Sequence, residues 1–280
     1  MRKITAREIS SAVAALSMEA NFTLRKDILD ALKRAYSSEK AAKAKKILGI
    51  LIENAAIAKR TKTAICQDTG MAEVFIDIGQ QAAVTGGGLA EAVNEGIRCG
   101  YNKGYLRKSV VSDPLLRKNT GDNSPAVIHT RIVPGGRMKI TVMPKGFGSE
   151  NKTLIKMFNP TQGTGDIGRF IVEAVRKAGA DACPPYILGV GIGGTIDKAC
   201  ILAKEALLRP LGRRNAKAHI ARLERELKKK VNALKIGPMG FGGNATCLGV
   251  NIEEYPTHIA GLPVCVSISC HATRSATKTI

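Results

Sequence analysis

Tyr186–Gly194, YILGVGIGG, runs straight into Thr195–Arg209, TIDKACILAKEALLR. The β-branched, apolar start of this stretch reads as a buried strand, and the apolar spacing after Thr195 reads as a helix. Gly189, Gly191 and Gly194 therefore fit G-x-G-x-x-G between strand and helix, the setting of a dinucleotide-binding turn. Such a unit needs a second parallel strand after its helix, closed by an acidic residue about twenty positions on. Here a second helical pattern follows, and Arg213 and Arg214 stand where the acid should be. The nucleotide reading is disfavoured. The glycines still require backbone to approach something closely, whether a ligand, a cluster or another strand.

Outward from that stretch, helices and strands interleave without a repeat or a low-complexity linker. The first sixty residues hold two or three amphipathic helices without proline: ITAREISSAVAAL, RKDILDALKRAYSSE and KAAKAKKILGILIENAAIA. MAEVFIDIG is a strand, and 86–106 begins with glycines and becomes a helix. AVIHTRIVPGGRMKITVMPKG reads as a hairpin, two β-branched runs about Pro134–Arg137. DIGRFIVEAVRKAGA reads as a helix capped by Asp166, IGPMGFGGNA as a rigid loop, and two strands lie near 246–252 and 263–269. The expectation is one mixed α/β domain over 1–280, with N-terminal helices, mixed sheets and room for two lobes.

With 280 residues, 44% of them apolar, the chain can bury a sizeable core. Arg7 and Glu8 interrupt the N-terminal MRKITAREISSAVAAL where a signal peptide would run apolar, and no stretch approaches the ~18–20 residues of a membrane span. A soluble, cytoplasmic protein without a membrane partner is expected. Its seven cysteines then stay reduced, so chemistry or metal binding outranks disulfides. The net charge of +20 attracts polyanions or acidic proteins. Much of it sits on 213–235, an amphipathic helical pattern with a basic outer face and no aromatic residue, which makes nucleic acid a weak candidate.

Ala64–Gly70, AICQDTG, contains the D-T-G of aspartic proteases, but once only. A protease of that kind needs two such carboxylates sharing a proton. The neighbouring Cys66 is the more informative residue. Cys66, Cys183 before Pro184-Pro185, and Cys270 before His271 all stand in loops or at strand ends. Cys99 and Cys200 lie in helical patterns, and Cys247 and Cys265 in or beside strands, where a buried structural thiol is the default. The three loop cysteines lie far apart in sequence, which excludes a local C-x₂-C knuckle and leaves open a site assembled from separate loops.

Five segments in order, AICQDTG, KGFGSENKT, CPPYILGVGIGGT, GPMGFGGNAT and HIAGLPVCVSISCHATR, resemble the class I fumarate hydratases and their relatives the L-tartrate dehydratases. The resemblance implies a hydro-lyase with an oxygen-labile 4Fe–4S cluster on Cys66, Cys183 and Cys270 and one iron open to substrate. It further implies Asp68 as the acid/base residue, with Gln67, Arg107, Gly148 and His258 at or near a small dicarboxylate substrate. A core histidine is the alternative for His258, and Lys145 and Lys152 read as surface or supporting groups. Single-chain relatives continue into a second domain carrying a proton-abstracting threonine and further cations. This chain therefore resembles the α subunit of a split enzyme, a heterodimer or heterotetramer with a separate β subunit. Fumarate hydration is the expected reaction, with tartrate dehydration and mesaconate-type substrates as alternatives.

Overall fold

The computed structural model describes residues 1–280. In chain order come β1 (Arg2–Thr5), α1 (Ala6–Phe22), α2 (Lys26–Ser38), α3 (Ala42–Thr61), β2 (Met71–Gly79), β3 (Ala82–Thr85) and α4 (Leu89–Lys103). Next are β4 (Val127–Val133), β5 (Met138–Lys145), α5 (Phe147–Glu150), β6 (Leu154–Phe158), α6 (Thr164–Ala178) and β7 (Tyr186–Gly193). Then follow α7 (Ile196–Leu208), α8 (Ala218–Asn232), β8 (Cys247–Tyr255), β9 (Leu262–Ser269) and β10 (Ala276–Thr279). They form two compact units: Met1–Arg25, Asn54–Phe147 and Arg274–Ile280 make one, Lys26–Glu53 and Gly148–Thr273 the other. No helix is long and apolar enough to cross a membrane.

In the first unit Thr5 and Glu8 close a capping box that starts α1: the Glu8 N–H donates to Thr5 Oγ1 at 3.2 Å and the Thr5 N–H to the Glu8 carboxylate at 2.7 Å. The apolar faces of α1 and α4, with Ile9, Val13, Val93 and Ile97 fully buried, share one core with β2 and β5. The sheet order is β10-β5-β2-β4, and β1 pairs in parallel with β3. This corrects the hairpin expected at 126–146. β4 and β5 do not pair; β2 lies between them, parallel to β4 and antiparallel to β5. The Pro134–Arg137 connection straddles the end of β2, where the Gly79 N–H donates to the Arg137 carbonyl and the Gln81 N–H to that of Gly135, each at 2.9 Å. Buried Ala72, Val74 and Ile76 give β2 the central place, and the exposed Thr130–Ile132 leave β4 at the edge.

The second unit is a four-stranded sheet, β6-β9-β7-β8. β7 is buried along nearly its whole length, as its unbroken apolar run requires. α6 and α8 cover one face through Ile167, Ile171, Val175, Leu227 and Val231. On the other face α7 lies so close to β7 that a Cβ on Gly189 or Gly191 would stand 2.0 Å from the Ala203 or Ala199 carbonyl oxygen. The glycines of YILGVGIGG thus admit a helix backbone. The parallel partner that a nucleotide-binding turn would need immediately does exist, as β8, but only after a second helix. Asp166 proves to be the third residue of α6 rather than its cap: Gly163 is the cap, and its N–H donates to the Asp166 carboxylate at 3.3 Å.

Candidate active site

AICQDTG forms a loop in the first unit, and backbone and side-chain donors hold it along its length. The Ile65 N–H donates to the Asn21 carbonyl at 3.0 Å, and Asn54 Nδ2 donates to the Ile65 carbonyl at 2.8 Å. Tyr101, fully buried in α4, donates its hydroxyl to the Thr69 and Gly70 carbonyls at 2.8 and 3.1 Å, and Asn123 adds a bond to Gly70 at 3.2 Å. Burial pushes the Tyr101 phenol up, which keeps it a donor. Gly70 turns with φ +76°, and a Cβ there would stand 2.8 Å from the Lys145 backbone, so no other residue fits. Bonds of this kind contribute about 0.5–1.5 kcal/mol each, enough together to fix the loop.

The loop presents three sequence-predicted residues. Cys66 and Asp68 are half-buried and Gln67 is exposed. Asp68 has both carboxylate oxygens engaged, Oδ1 by the Gly70 N–H at 3.0 Å and Oδ2 by the Phe147 N–H at 2.8 Å. The Thr69 hydroxyl donates to the Arg107 carbonyl at 2.7 Å, which ties exposed Arg107 to the same loop. Arg274 completes the surroundings by donating through Nη2 to the Asp68 carbonyl. Arg274 and Tyr101 were not singled out from the sequence. Arg274 closes the quoted segment HIAGLPVCVSISCHATR, but burial is what distinguishes it from other arginines.

In the second unit the antiparallel β7/β9 register, Ile187 opposite Ser269, brings Cys270 to the entry of β7 where Cys183 stands. The His271 N–H donates to the Cys183 carbonyl at 3.2 Å, and His271 Nδ1 lies 3.1 Å from that oxygen. Cys183 adopts φ 55°, left-handed backbone that a non-glycine residue rarely takes, before a cis Pro184-Pro185 bond. The Met239 N–H donates to the Pro184 carbonyl at 2.8 Å, so the GPMGFGGNAT loop braces this turn. Gly148 is exposed on α5, and a Cβ there would come within 3.8 Å of the Asp181 carbonyl. Lys152 pairs with Asp181 at 2.8 Å. Gly148 thus lies beside the turn that carries Cys183, and the residue after Cys270 bonds to the same turn. His258 is not at this turn: it is exposed on the β8–β9 connection, at the opposite end of β7.

Of the remaining cysteines, Cys247 and Cys265 are buried as structural thiols would be, whereas Cys99 and Cys200, on α4 and α7, are only half-buried. Cys247 is buried, donates to the Gly249 carbonyl, and has its thiol pushed up to about 12 by burial. Cys265 packs with Cys200 against Ala199 and Ala203, and burial pushes it up too. No group of three or more His, Cys, Asp or Glu side chains stands at metal-ligating spacing. The donor chemistry nonetheless fits an iron–sulfur group. Cys66, Cys183 and Cys270 are soft sulfur donors, each half-buried on a loop, and two of them share one sheet end.

The sequence profile of the fumarate hydratase (Fumerase) family matches residues 10–279. A protein of Methanocaldococcus jannaschii that bears the provisional name L(+)-tartrate dehydratase subunit alpha is 41% identical over 279 residues, 98% of each chain. The L(+)-tartrate dehydratase subunit alpha of Escherichia coli strain K12 is 31% identical over 267 residues, 92% of this chain and 88% of its own. The protein of that name from Shigella sonnei has the same identity and coverage.

Proposed function

The chain belongs to the fumarate hydratase (Fumerase) family, and from that premise we propose that it is the α subunit of an iron–sulfur hydro-lyase interconverting fumarate and L-malate. The observation that carries this reading is Asp68. Its carboxylate is oriented by two backbone N–H groups, two residues from the Cys66 thiol and beside the Arg107 segment.

Cys66, Cys183 and Cys270 would hold a 4Fe–4S cluster, which with one iron left open supplies a Lewis acid for a hydroxyl and a neighbouring carboxylate. Asp68 carries the proton. In dehydration its carboxylic acid gives a proton to the departing hydroxyl oxygen, which leaves as water; in hydration the carboxylate takes that proton back. Arg107 supplies a cation for a substrate carboxylate, and Gln67 and the Gly148 backbone supply polar contacts. His258, implied by the same resemblance, stands at the opposite end of β7 from Cys183 and is given no role in this site. The group that removes the carbon-bound proton would come from a separate β subunit, a reading supported by the relatives' designation as alpha subunits. Three ligating thiolates need a reducing compartment, which points to the cytoplasm.

The relatives' names favour a second reading, dehydration of L(+)-tartrate by the same groups, since malate and tartrate both present two carboxylates and a 2-hydroxyl. Anaerobic assay of the complete αβ enzyme on fumarate, L-malate, L(+)-tartrate and mesaconate tests both. The highest kcat/KM on fumarate and malate upholds the first reading, and on tartrate the second. A cluster-loaded αβ enzyme inactive on all four would overturn both.

A further inference from the structure

Arg274 is 3% exposed, four residues beyond Cys270. Its Nη2 donates to the Asp68 carbonyl, while Nε and Nη1 are sealed from water without a hydrogen-bond partner. A buried guanidinium in this state opposes folding, because a desolvated charge and orphaned donors are both unfavourable. An apolar side chain of similar volume would suit packing better. The charge is therefore retained for something other than stability.

We propose that Arg274 is a positioning residue for Asp68, clamping its carbonyl so that the carboxylate keeps one orientation for proton transfer. The proposal rests on the reading of Asp68 as the proton carrier. Its physical basis is the distribution of tethers along the loop. Asn54 holds the Ile65 carbonyl on one side, and Tyr101 and Asn123 hold those of Thr69 and Gly70 on the other. Arg274 holds the middle, at the residue that does the chemistry. A Cβ on Gly146 would stand 3.2 Å from Asp68 Oδ2 and 3.8 Å from Arg274 Nη2, so the carboxylate and the guanidinium border one small space. The clamp and the two backbone donors on the carboxylate then act on a single rigid group. Misplacement of a catalytic group by about 1 Å lowers a rate by roughly 10²-fold.

Two measurements test the clamp. On the full chain, amide hydrogen exchange at Gly70 and Phe147 reports the Asp68 carboxylate directly, because those N–H groups donate to it. Arg274→Met should speed exchange there by about tenfold or more while the β7–β9 amides keep their rates. Arg274→Lys, which keeps the charge and one donor, gives a smaller change and serves if the Met variant fails to fold. In the αβ enzyme, Arg274→Met should lower kcat about 10²-fold with KM within about threefold. Added to Asp68→Asn it should lower kcat by less than about twofold more, since it acts through Asp68. Unchanged exchange at Gly70 and Phe147, or losses that multiply in the double variant, would overturn the proposal. Accelerated exchange in a wild-type enzyme with no hydro-lyase turnover would sustain the clamp and remove only the assigned reaction.

Discussion

At Asp68 the carboxylate is satisfied entirely by its own neighbourhood, the N–H groups of Gly70 and Phe147. Asp68→Asn keeps the shape and one acceptor but cannot carry the proton. Iron and sulfide content should stay near wild type, while kcat of the αβ enzyme falls about 10²–10⁴-fold and KM changes less. Near-normal kcat would remove Asp68 from the mechanism. Among the thiols, single Ser replacements at Cys66, Cys183 and Cys270 should each abolish the cluster after anaerobic reconstitution. Cys99→Ser and Cys200→Ser should leave it intact, and equal iron content in all five variants would defeat the assignment. Loop positions beside Pro, Gln and His set these three cysteines apart in the sequence, and the family resemblance, not their spacing, implied them as a ligand set. Arg274 was not legible, as one of 43 Lys and Arg residues whose burial no local pattern announces.

The elements themselves were mostly readable from periodicity. MAEVFIDIG and YILGVGIG are strands, and the amphipathic patterns of α1 to α4 and α6 to α8 are helices. What failed was pairing. A turn signal between two β-branched runs says nothing of a third strand, made fifty residues earlier, that inserts between them. The close seat of α7 on β7 gives an element-scale test. Gly191→Val would drive a side chain into the Ala199 carbonyl, backbone that cannot swing aside, and should destabilise by about 1–3 kcal/mol or more. A lowered urea midpoint measures it; an unchanged one would contradict the close approach. The junction after α2 gives a pH test. Burial raises the Glu39 carboxyl, but the N–H groups of Asn244, Ala41, Lys40 and Ala245 outweigh it and hold the group below the usual carboxylate range. With the folded value depressed, its stabilisation is present above the unfolded value of about 4.3 and is lost as pH falls through the folded one. Urea melts from pH 7 to pH 3 should show the wild-type advantage over Glu39→Gln shrinking across the acid limb. A constant difference would contradict this.

For the molecule as a whole, the +20 charge is concentrated in part on the exposed Arg222, Arg225, Lys228, Lys229 and Lys230 of α8. The isolated chain should show no turnover and gain it on addition of its β subunit. Association should slow as salt rises, since steering between opposite charges is screened beyond about 10 Å at 0.1 M. Stopped-flow mixing at several ionic strengths measures this, and a salt-independent rate would locate the recognition elsewhere. The mixed α/β class, with room for two lobes, was legible from the interleaving of periods, whereas the bounds of the two compact units were not. Their chain order is discontinuous, and no composition shift marks the breaks after Arg25, Glu53, Phe147 and Thr273. Two of those breaks fall inside the motifs KGFGSENKT and SCHATR, and that arrangement bears on ancestry. Neither unit corresponds to a contiguous stretch of gene, so recombination at a single point cannot shuffle one without tearing the other. A duplication or fusion that keeps either unit whole must therefore carry both.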